Sequence, residues 1–242
     1  MSAARGPRWF IGVVIPAQNE AASIERCLAS VIAAHRHCGA RARLWIVVVA
    51  DACSDGTVPI ARAALARRGE VIECSVRSPG SARRLGAAAV IARFGKARPR
   101  RVWLANTDAD TRVPADWLQR HLDHADDGAS AVAGIVQLDA ADGLREDLLR
   151  LYRATYELPC DGAHGHVHGA NLGVRVDAYL DAGGWSHETV AEDHSLWRRL
   201  RLRGWQLRSC VNSVVLTSAR LHGRAVGGFA DTLCRRLEAE RG

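Results

Sequence analysis

The sequence predicts an α/β fold in which helices flank a mostly parallel sheet. Strand-like apolar runs alternate with amphipathic helical segments, and the connections between them are short. Phe10 to Ile15 and Leu44 to Ala50 are uninterrupted apolar runs rich in β-branched residues, which is typical of strands covered on both faces. Runs of this length are too short to cross a membrane, so we expect no transmembrane segment.

The first half of the chain, about residues 10–110, alternates strand and helix without interruption. After the first strand, Ile24, Leu28, Val31 and Ile32 recur at helical spacing. The elements that follow are a helix at Val58 to Arg68, a strand at Val71 to Val76, a helix at Ser81 to Phe94 and a strand at Val102 to Ala105. Ligands of open α/β sheets bind at the carboxyl ends of the strands. We therefore interpret this half as the nucleotide-binding one.

The second half, about residues 111–242, is less regular and is expected to hold the second substrate. Pro114 can open a helix, and strands are expected at Ala131 to Leu138 and Val211 to Thr217. Further helices are predicted at Leu144 to Tyr156, Asp177 to Ala182, Glu192 to Arg203 and Phe229 to Glu240. No linker or repeat divides the chain, so we expect a single domain over residues 1–242. The terminal helix is expected to dock on this domain, with a membrane surface or a second subunit of a homodimer as alternatives.

The charge of the chain indicates a phosphate-bearing partner without saying which. The net charge is +7, and all but one of the 33 basic residues are arginine. Such a surface attracts nucleotides, nucleic acids and lipid headgroups. Aromatic residues make up 5% of the chain and do not interleave with the basic ones, so we expect no nucleic-acid partner. A basic nucleic-acid-binding module is kept as an alternative.

Two features predict a cytoplasmic location. The seven cysteines include no Cys-x-x-Cys pair, which argues against a disulfide framework and a zinc knuckle. Gln18, Asn19 and Glu20 directly follow the first apolar run, which does not fit a signal peptide.

Paired carboxylates follow the fourth predicted strand. Asp108 and Asp110 are two residues apart, so both can point the same way from an extended chain. Together they can chelate Mg²⁺ or Mn²⁺ that bridges to a diphosphate. A solvated acidic turn is the alternative.

Polar residues also follow the second and third predicted strands. Asp51 is expected to accept from a base N–H or a ribose hydroxyl, whereas Asp55 and Thr57 are expected to cap the next helix. The turn from Ser78 to Arg84 leads into a helix N-terminus. Its free N–H groups and arginines suit a pyrophosphate, although an ordinary strand-to-helix loop has the same composition.

The second half contributes two further candidate segments. Glu192 and Asp193 begin a predicted helix, where acids serve as caps or, facing a pocket, as proton acceptors. His164, His166 and His168 would share one face of a strand. That spacing invites a zinc site, but a loop that lines the substrate is the favoured interpretation because no further ligand stands at a recognised spacing.

Taken in order, these segments resemble the GT-A fold, family 2 glycosyltransferases. The resemblance covers about residues 10 to 204. It rests on Val14 to Glu20, Ala50 to Thr57, Ala82-Arg83, Asp108 to Asp110, Gly169 to Gly173, Gly183 to Trp185 and Glu192-Asp193.

The resemblance implies a role for each matching position on the donor side. Pro16, Asn19 and Glu20 match the loop that holds the nucleoside, and Asp51 matches the acid that contacts the base or ribose. Arg83 matches the arginine near the donor phosphates. The family's metal-binding pair, which also faces the donor, is matched by Asp108 and Asp110.

On the acceptor side, Asp193 matches the acid that deprotonates the acceptor hydroxyl. The loop that closes over the sugar and the acceptor is matched by His168, Gly169, Ala170 and Asn171, with Glu192 beside it. Some GT-A enzymes add a late histidine to the metal site, and the resemblance implies His222 for this role. An exposed histidine beside Arg220 and Arg224 is the alternative.

The resemblance further implies a metal-dependent, inverting transfer of one sugar from a UDP- or GDP-linked donor. Ala50-Asp51 stands where the family usually has two acids, and the Gln-x-x-Arg-Trp signature of processive synthases is absent. We therefore expect one discrete acceptor, whose identity the sequence leaves open. A nucleotidyltransferase ranks second, because Pro16 to Glu20 lacks the glycine-rich loop expected there. A degenerate domain that binds sugar nucleotides without turnover ranks below it.

Overall fold

The computed structural model describes residues 8–139, 164–186 and 191–218. Within these residues eight strands form one sheet. They are β1 (Trp9–Ala17), β2 (Ala42–Asp51), β3 (Gly69–Cys74), β4 (Val102–Asn106), β5 (Thr111–Arg112), β6 (Ala131–Leu138), β7 (Leu172–Arg175) and β8 (Leu207–Thr217). Their order across the sheet is β3-β2-β1-β4-β7-β6-β8-β5.

The helices of the described part lie in the connections between these strands. They are α1 (Ile24–Cys38), α2 (Thr57–Leu65), α3 (Pro79–Arg93), α4 (Trp117–Asp126), α5 (Val176–Asp181) and α6 (Glu192–Leu202), with 3-10 turns at Gly39–Arg41, Pro99–Arg101 and Gly169–Asn171. No helix among the described residues is both long enough and apolar enough to cross a membrane. The helices expected at Leu144 to Tyr156 and Phe229 to Glu240 fall outside the described residues.

The mostly parallel α/β sheet predicted from the sequence is confirmed. Strands β3, β2, β1 and β4 run parallel to one another. Strand β7 pairs antiparallel with both β4 and β6, β6 and β8 are parallel, and β5 is antiparallel to β8. The carboxyl ends of β1, β2 and β4 therefore meet at one edge of the sheet.

Alternate residues of β1 belong to two different hydrophobic clusters. Val13 and Ile15 pack in the cluster with α1, whereas Val14 packs in the cluster with α3. This alternation explains why the strand reads as one continuous apolar run, since both faces of the sheet are covered. A Cβ on Gly12 would lie 2.1 Å from Val90 Cγ1 of α3, and one on Gly86 would lie 2.4 Å from Val14 Cγ1. Close packing of valine side chains against the backbones of these two glycines thus sets the position of α3 on β1.

Several elements differ from the expectation. Strands β5 and β7 were not anticipated, because two and four residues are too few to reveal a periodicity. Strand β8 begins at Leu207 rather than Val211, since its first residues pair with β6 despite their polar composition. Residues 164–168 have no regular secondary structure, which fits the favoured loop and not the strand on which a zinc site would depend.

The cysteines of the described part are all free thiols. They are Cys27, Cys38, Cys53, Cys74 and Cys210. Burial raises the pKa of Cys38 to about 11, so this thiol stays protonated at neutral pH and is a poor nucleophile. The cytoplasmic location stays a prediction.

Candidate active site

Acidic side chains from the loops after β1 and β4 surround one buried thiol at the carboxyl edge of the sheet. The Cys27 thiol donates to the backbone oxygen of Asp108 at 3.3 Å. Burial, together with the nearby carboxylates of Asp110, Asp108 and Glu20, raises the pKa of Cys27. The structure therefore brings three of the candidate acids to one place.

The loop after β1 is bound to the loop after β2. Asn19 adopts a left-handed conformation with φ 54°, which asparagine tolerates better than most residues. Its side-chain oxygen accepts from the backbone N–H of Ser54 at 2.8 Å, and the N–H of Glu20 donates to Thr57 Oγ1 at 2.7 Å. Pro16 lies inside β1 opposite Val49. Asn19 and Glu20 thus shape the surface that the sequence assigns to the nucleoside.

Asp51 holds the start of α3. Its carboxylate accepts from the backbone N–H groups of Arg77 at 2.9 Å and Ser78 at 3.1 Å, and the residue is 5% exposed. Ser78 in turn caps α3, because its Oγ accepts from the N–H of Ser81. Asp51 therefore has a structural role that the sequence did not indicate. Its contact with a base or ribose stays a prediction.

Arg83, in the second turn of α3, joins the two halves of the chain. It donates to Asp108 Oδ1 at 2.6 Å and to Glu192 Oε1 at 2.5 Å. Its Cζ lies 5.4 Å from the ring centre of Trp185, a distance that favours a cation–π contact. Burial opposes the charge of Arg83, but Asp108 and Glu192 raise its pKa overall. The guanidinium is thus held between acids of the donor and acceptor halves.

The backbone of Gly169 lies directly against this guanidinium. A Cβ at Gly169 would be 2.5 Å from Arg83 Cζ and Nη2, so a larger residue would displace the arginine. The N–H of Gly169 donates to Asp193 Oδ2 at 2.9 Å. One glycine therefore contacts both Arg83 and the carboxylate expected to act as the base.

Glu192 and Asp193 begin helix α6. The preceding residue, Ala191, is left-handed with φ 60°, which turns the chain sharply into the helix. Glu192 is 7% exposed, and burial raises its pKa while Arg83 opposes that shift. The other oxygen of Asp193, Oδ1, accepts from the N–H of His194 at 2.7 Å. Both oxygens of Asp193 are thereby oriented, and the helix N-terminus favours their negative charge.

The three histidines before Gly169 stack side by side. The ring centres of His164 and His166 are 6.0 Å apart, and those of His166 and His168 are 6.1 Å apart. Burial lowers the pKa of His168 to about 4, although the nearby Asp193 opposes the shift. Over the described ranges no group of three histidine, cysteine or acidic side chains is placed to hold a metal ion. The segment leads into the loop of Gly169, and the imidazole of His168 next to that glycine is neutral at pH 7.

The rest of that loop faces the interior. Asn171 is fully buried, and its amide donates to the carbonyl oxygens of Ile135 and Ser213. Its side-chain oxygen accepts from the indole N–H of Trp117 at 2.9 Å, and Ala170 is 6% exposed. This corrects the expectation for Asn171: its side chain joins β6, β8 and α4 and does not line the surface over Arg83.

Asp108 and Asp110 have the donor chemistry of a Mg²⁺ or Mn²⁺ site. Their carboxylate oxygens are the ligands these ions prefer, with the remaining positions left for a diphosphate and water. The Asp108 side chain is 36% exposed, and Asp110 Oδ1 accepts from Thr217 Oγ1 at 3.3 Å. The residues fit the ion. His222, the further expected ligand, lies outside the described residues.

Comparison with known proteins identifies the family. The chain is similar to S. aureus TarS 1-349 in complex with UDP-GlcNAc (14% identity, TM-score 0.64, covering 90% of this chain and 61% of that one). It is also similar to the mannosyltransferase PcManGT from Pyrobaculum calidifontis in complex with GDP-Man and Mn²⁺ (18% identity, TM-score 0.61, covering 91% and 59%). The chain thus spans about three fifths of the length of these two structures, and at such identities the likeness shows the GT-A fold alone.

No curated protein matches the sequence. The model of glycosyl transferase family 2 matches residues 12–182, which is well over half of the chain. The motifs found in the sequence, the GT-A fold and this match agree, and the chain belongs to glycosyl transferase family 2.

Proposed function

We propose that this protein transfers one sugar from a nucleotide-diphosphate sugar to a hydroxyl of a separate acceptor. The observation that carries the proposal is the convergence of Asp108, Glu192 and Gly169 on the guanidinium of Arg83. Family membership supports it. The UDP-GlcNAc and GDP-Man complexes of the similar structures support a UDP- or GDP-linked donor.

The donor lies over the carboxyl edge of the sheet in this proposal, within one GT-A domain over residues 1–242. The loops of Asn19, Glu20 and Asp51 face the nucleoside, and Arg83 faces the diphosphate. A guanidinium can bind phosphate oxygens with two parallel hydrogen bonds. Because Arg83 is already buried and its guanidinium is held by the buried acid Glu192, its charge needs little reorganisation when the leaving group becomes more negative.

Asp108 and Asp110 would hold Mn²⁺ or Mg²⁺, with His222 proposed as a further ligand. The bound ion would neutralise the diphosphate leaving group. The Mn²⁺ in the complex of PcManGT supports this choice of metals.

Asp193 is the general base of the proposed reaction. It takes the proton from the acceptor hydroxyl while that oxygen attacks the anomeric carbon, so the configuration of the sugar is inverted in a single displacement. The hydrogen bonds from the N–H groups of Gly169 and His194 support this role, because they fix the carboxylate in one orientation. His168, with its pKa near 4, is neutral at pH 7 and does not form a competing ion pair with Asp193.

Donor binding is tested by thermal denaturation with UDP, GDP, dTDP, CDP or AMP, each with and without Mn²⁺. A ligand at 100 times its Kd stabilises the folded state by about 2.7 kcal/mol. We expect stabilisation by UDP or GDP that needs Mn²⁺ and is lost in Asp110→Asn but kept in Asp127→Asn, a change at an exposed site. No shift with any nucleotide would contradict the proposal.

The reaction itself is tested with the donor that the denaturation experiment selects. Asp193→Asn should keep the nucleotide-induced shift but lose transfer, and NMR of the product should show the inverted anomer. Full transfer by Asp193→Asn would exclude this residue as the base. Transfer that survives excess EDTA would exclude the metal.

A further inference from the structure

Arg83 is shared between two carboxylates that differ in accessibility. The side chain of Glu192 is 9% exposed, whereas that of Asp108 is 36% exposed. One arm of the guanidinium is therefore held by a buried acid and the other by an acid open to incoming ligands. Asp108 can change its partner without unpacking the protein, but Glu192 cannot.

The surroundings of Arg83 leave it no alternative position. Its side chain is 5% exposed, the Gly169 backbone lies against it, and the Trp185 ring covers it. A buried guanidinium that lost both acids would be strongly destabilising, because an uncompensated charge would stay out of water. Arg83 therefore needs one permanent carboxylate partner if the other is to leave.

We propose that Glu192 is a positioning residue that retains Arg83 while Asp108 exchanges its ion pair with Arg83 for one with a divalent cation. The inference rests on the proposed function only in taking Asp108 as a cation ligand. It assigns Glu192 a different role from the contact with the acceptor loop that the family resemblance implies. Glu192 acts through Arg83 and does not touch the substrate.

The proposal predicts opposite effects of the two partners on cation affinity. Without Arg83, the Asp108 carboxylate has no competing guanidinium, so a cation binds more tightly. Without Glu192, Arg83 depends on Asp108 alone and holds it more firmly, so a cation binds more weakly. A direct electrostatic effect on the cation predicts the same two directions, because losing a positive charge tightens cation binding and losing a negative charge weakens it. Only the double mutant, in which both residues are replaced, distinguishes this effect from the positioning role of Glu192.

The experiment is a double-mutant cycle on Mn²⁺ binding in the absence of nucleotide, with free Mn²⁺ measured by electron paramagnetic resonance. We expect Arg83→Gln to tighten binding about tenfold and Glu192→Gln to weaken it about tenfold, the size of a coupling between contacting groups. In the Arg83→Gln background, Glu192→Gln should change the affinity by no more than about twofold, because the group that Glu192 positions is gone.

Matched controls make the same chemical changes away from Asp108. Arg84→Gln removes a neighbouring guanidinium that binds the carbonyl oxygens of Gly183 and Trp185. Glu25→Gln removes an exposed carboxylate of α1. Both should keep the affinity of the wild type within about twofold. If Arg83→Gln does not fold, Arg83→Met replaces it in the cycle, since methionine removes the charge but fills part of the space of the arginine.

An equal loss of Mn²⁺ affinity on Glu192→Gln with and without Arg83 would overturn the proposal, since Glu192 would then act as one more carboxylate. Absence of Mn²⁺ binding by both the wild type and Arg83→Gln would also overturn it. The nucleotide-induced thermal shift is measured separately on the wild type. If the double-mutant cycle gives the contradicting result but a nucleotide still raises the Tm, the role of Glu192 is excluded and the donor assignment stands. If the cycle gives the expected result but no nucleotide raises the Tm, the donor assignment is excluded.

Discussion

Replacing Gly169 by alanine tests whether the fixed position of Arg83 stabilises the fold. The added Cβ would lie 2.5 Å from Arg83 Cζ and Nη2 and 2.9 Å from Nη1, whereas ordinary contact begins at 3.4 Å. The guanidinium must therefore retreat by about 0.9 Å, the difference between the first and last of these distances. The end of an exposed arginine would move at little cost, but this one is held at 2.5–2.6 Å by two acids.

The displacement weakens at least one of the two ion pairs. A shift of about 0.9 Å stretches a 2.6 Å contact to the limit of hydrogen bonding. A hydrogen bond to a charged group contributes about 1.5–3 kcal/mol, so we expect the free energy of unfolding to fall by about 2 kcal/mol. In a protein of this size that loss corresponds to a decrease in Tm of roughly 4–8 °C.

The assay is urea and thermal unfolding monitored by circular dichroism, without metal or nucleotide. Gly165→Ala is the matched control, because nothing lies within 4 Å of a Cβ at that position. A Gly169→Ala protein with a stability within about 0.5 kcal/mol of this control would show that Arg83 moves freely, which would refute the reasoning.

Two further substitutions test the buried polar groups. Asn171→Asp should lower the free energy of unfolding by at least about 3 kcal/mol at pH 7 in urea titrations, because it sets a carboxylate against two carbonyl oxygens. The exposed Asn212→Asp should be near neutral. Burial holds the pKa of His121 at about 4, below the usual 6.5. The unfolded chain takes up that proton first, so stability falls by about 3 kcal/mol as the pH drops from about 6.5 to 4. Unfolding curves measured across that pH range should show that the free energy of unfolding depends less on pH in His121→Gln than in the wild type. An unchanged pH dependence would contradict the assignment.

The first half of the fold could be predicted from the sequence because its strands are buried on both faces. The apolar run from Phe10 to Ile15 lies inside β1 (Trp9–Ala17), and the run from Leu44 to Ala50 lies inside β2 (Ala42–Asp51). Such runs carry a strong signal, since all of their residues except Gly12 and Ala50 pack in one cluster or the other. The observed ends of β1 and β2 differ from the ends of the predicted runs by one or two residues. Hydrogen bonding to neighbouring strands, not hydrophobicity, sets where each strand ends.

The short strands of the second half could not be predicted in this way. Strand β7 (Leu172–Arg175) has four residues, and its place between β4 and β6 depends on partners that lie about 70 and about 40 residues earlier in the chain, respectively. Four residues are too few to separate a strand from a loop by periodicity. Only the assembled sheet determines such an element.

The order of the motifs indicated which loops form the site but not how their side chains pair. Arg83 was expected near the donor phosphates, yet nothing in the sequence shows that it holds Asp108 and Glu192, which are 25 and 109 positions away. Asn171 was misassigned for a related reason. It belongs to the same short turn as Gly169, but it faces the core whereas Gly169 faces Arg83, and such a reversal within one turn has no signature in the sequence.

The cation ligand and the proposed base belong to one continuous cluster of contacts. Asp108 binds Arg83, Arg83 packs on Gly169, and the Gly169 N–H binds Asp193. Arg83 itself is carried by α3, whose Gly86 leaves no room for a side chain beside β1. A larger residue at Gly86 would therefore displace the cluster without changing any charge, so the packing of α3 on β1 is part of the site even though it lies in the core.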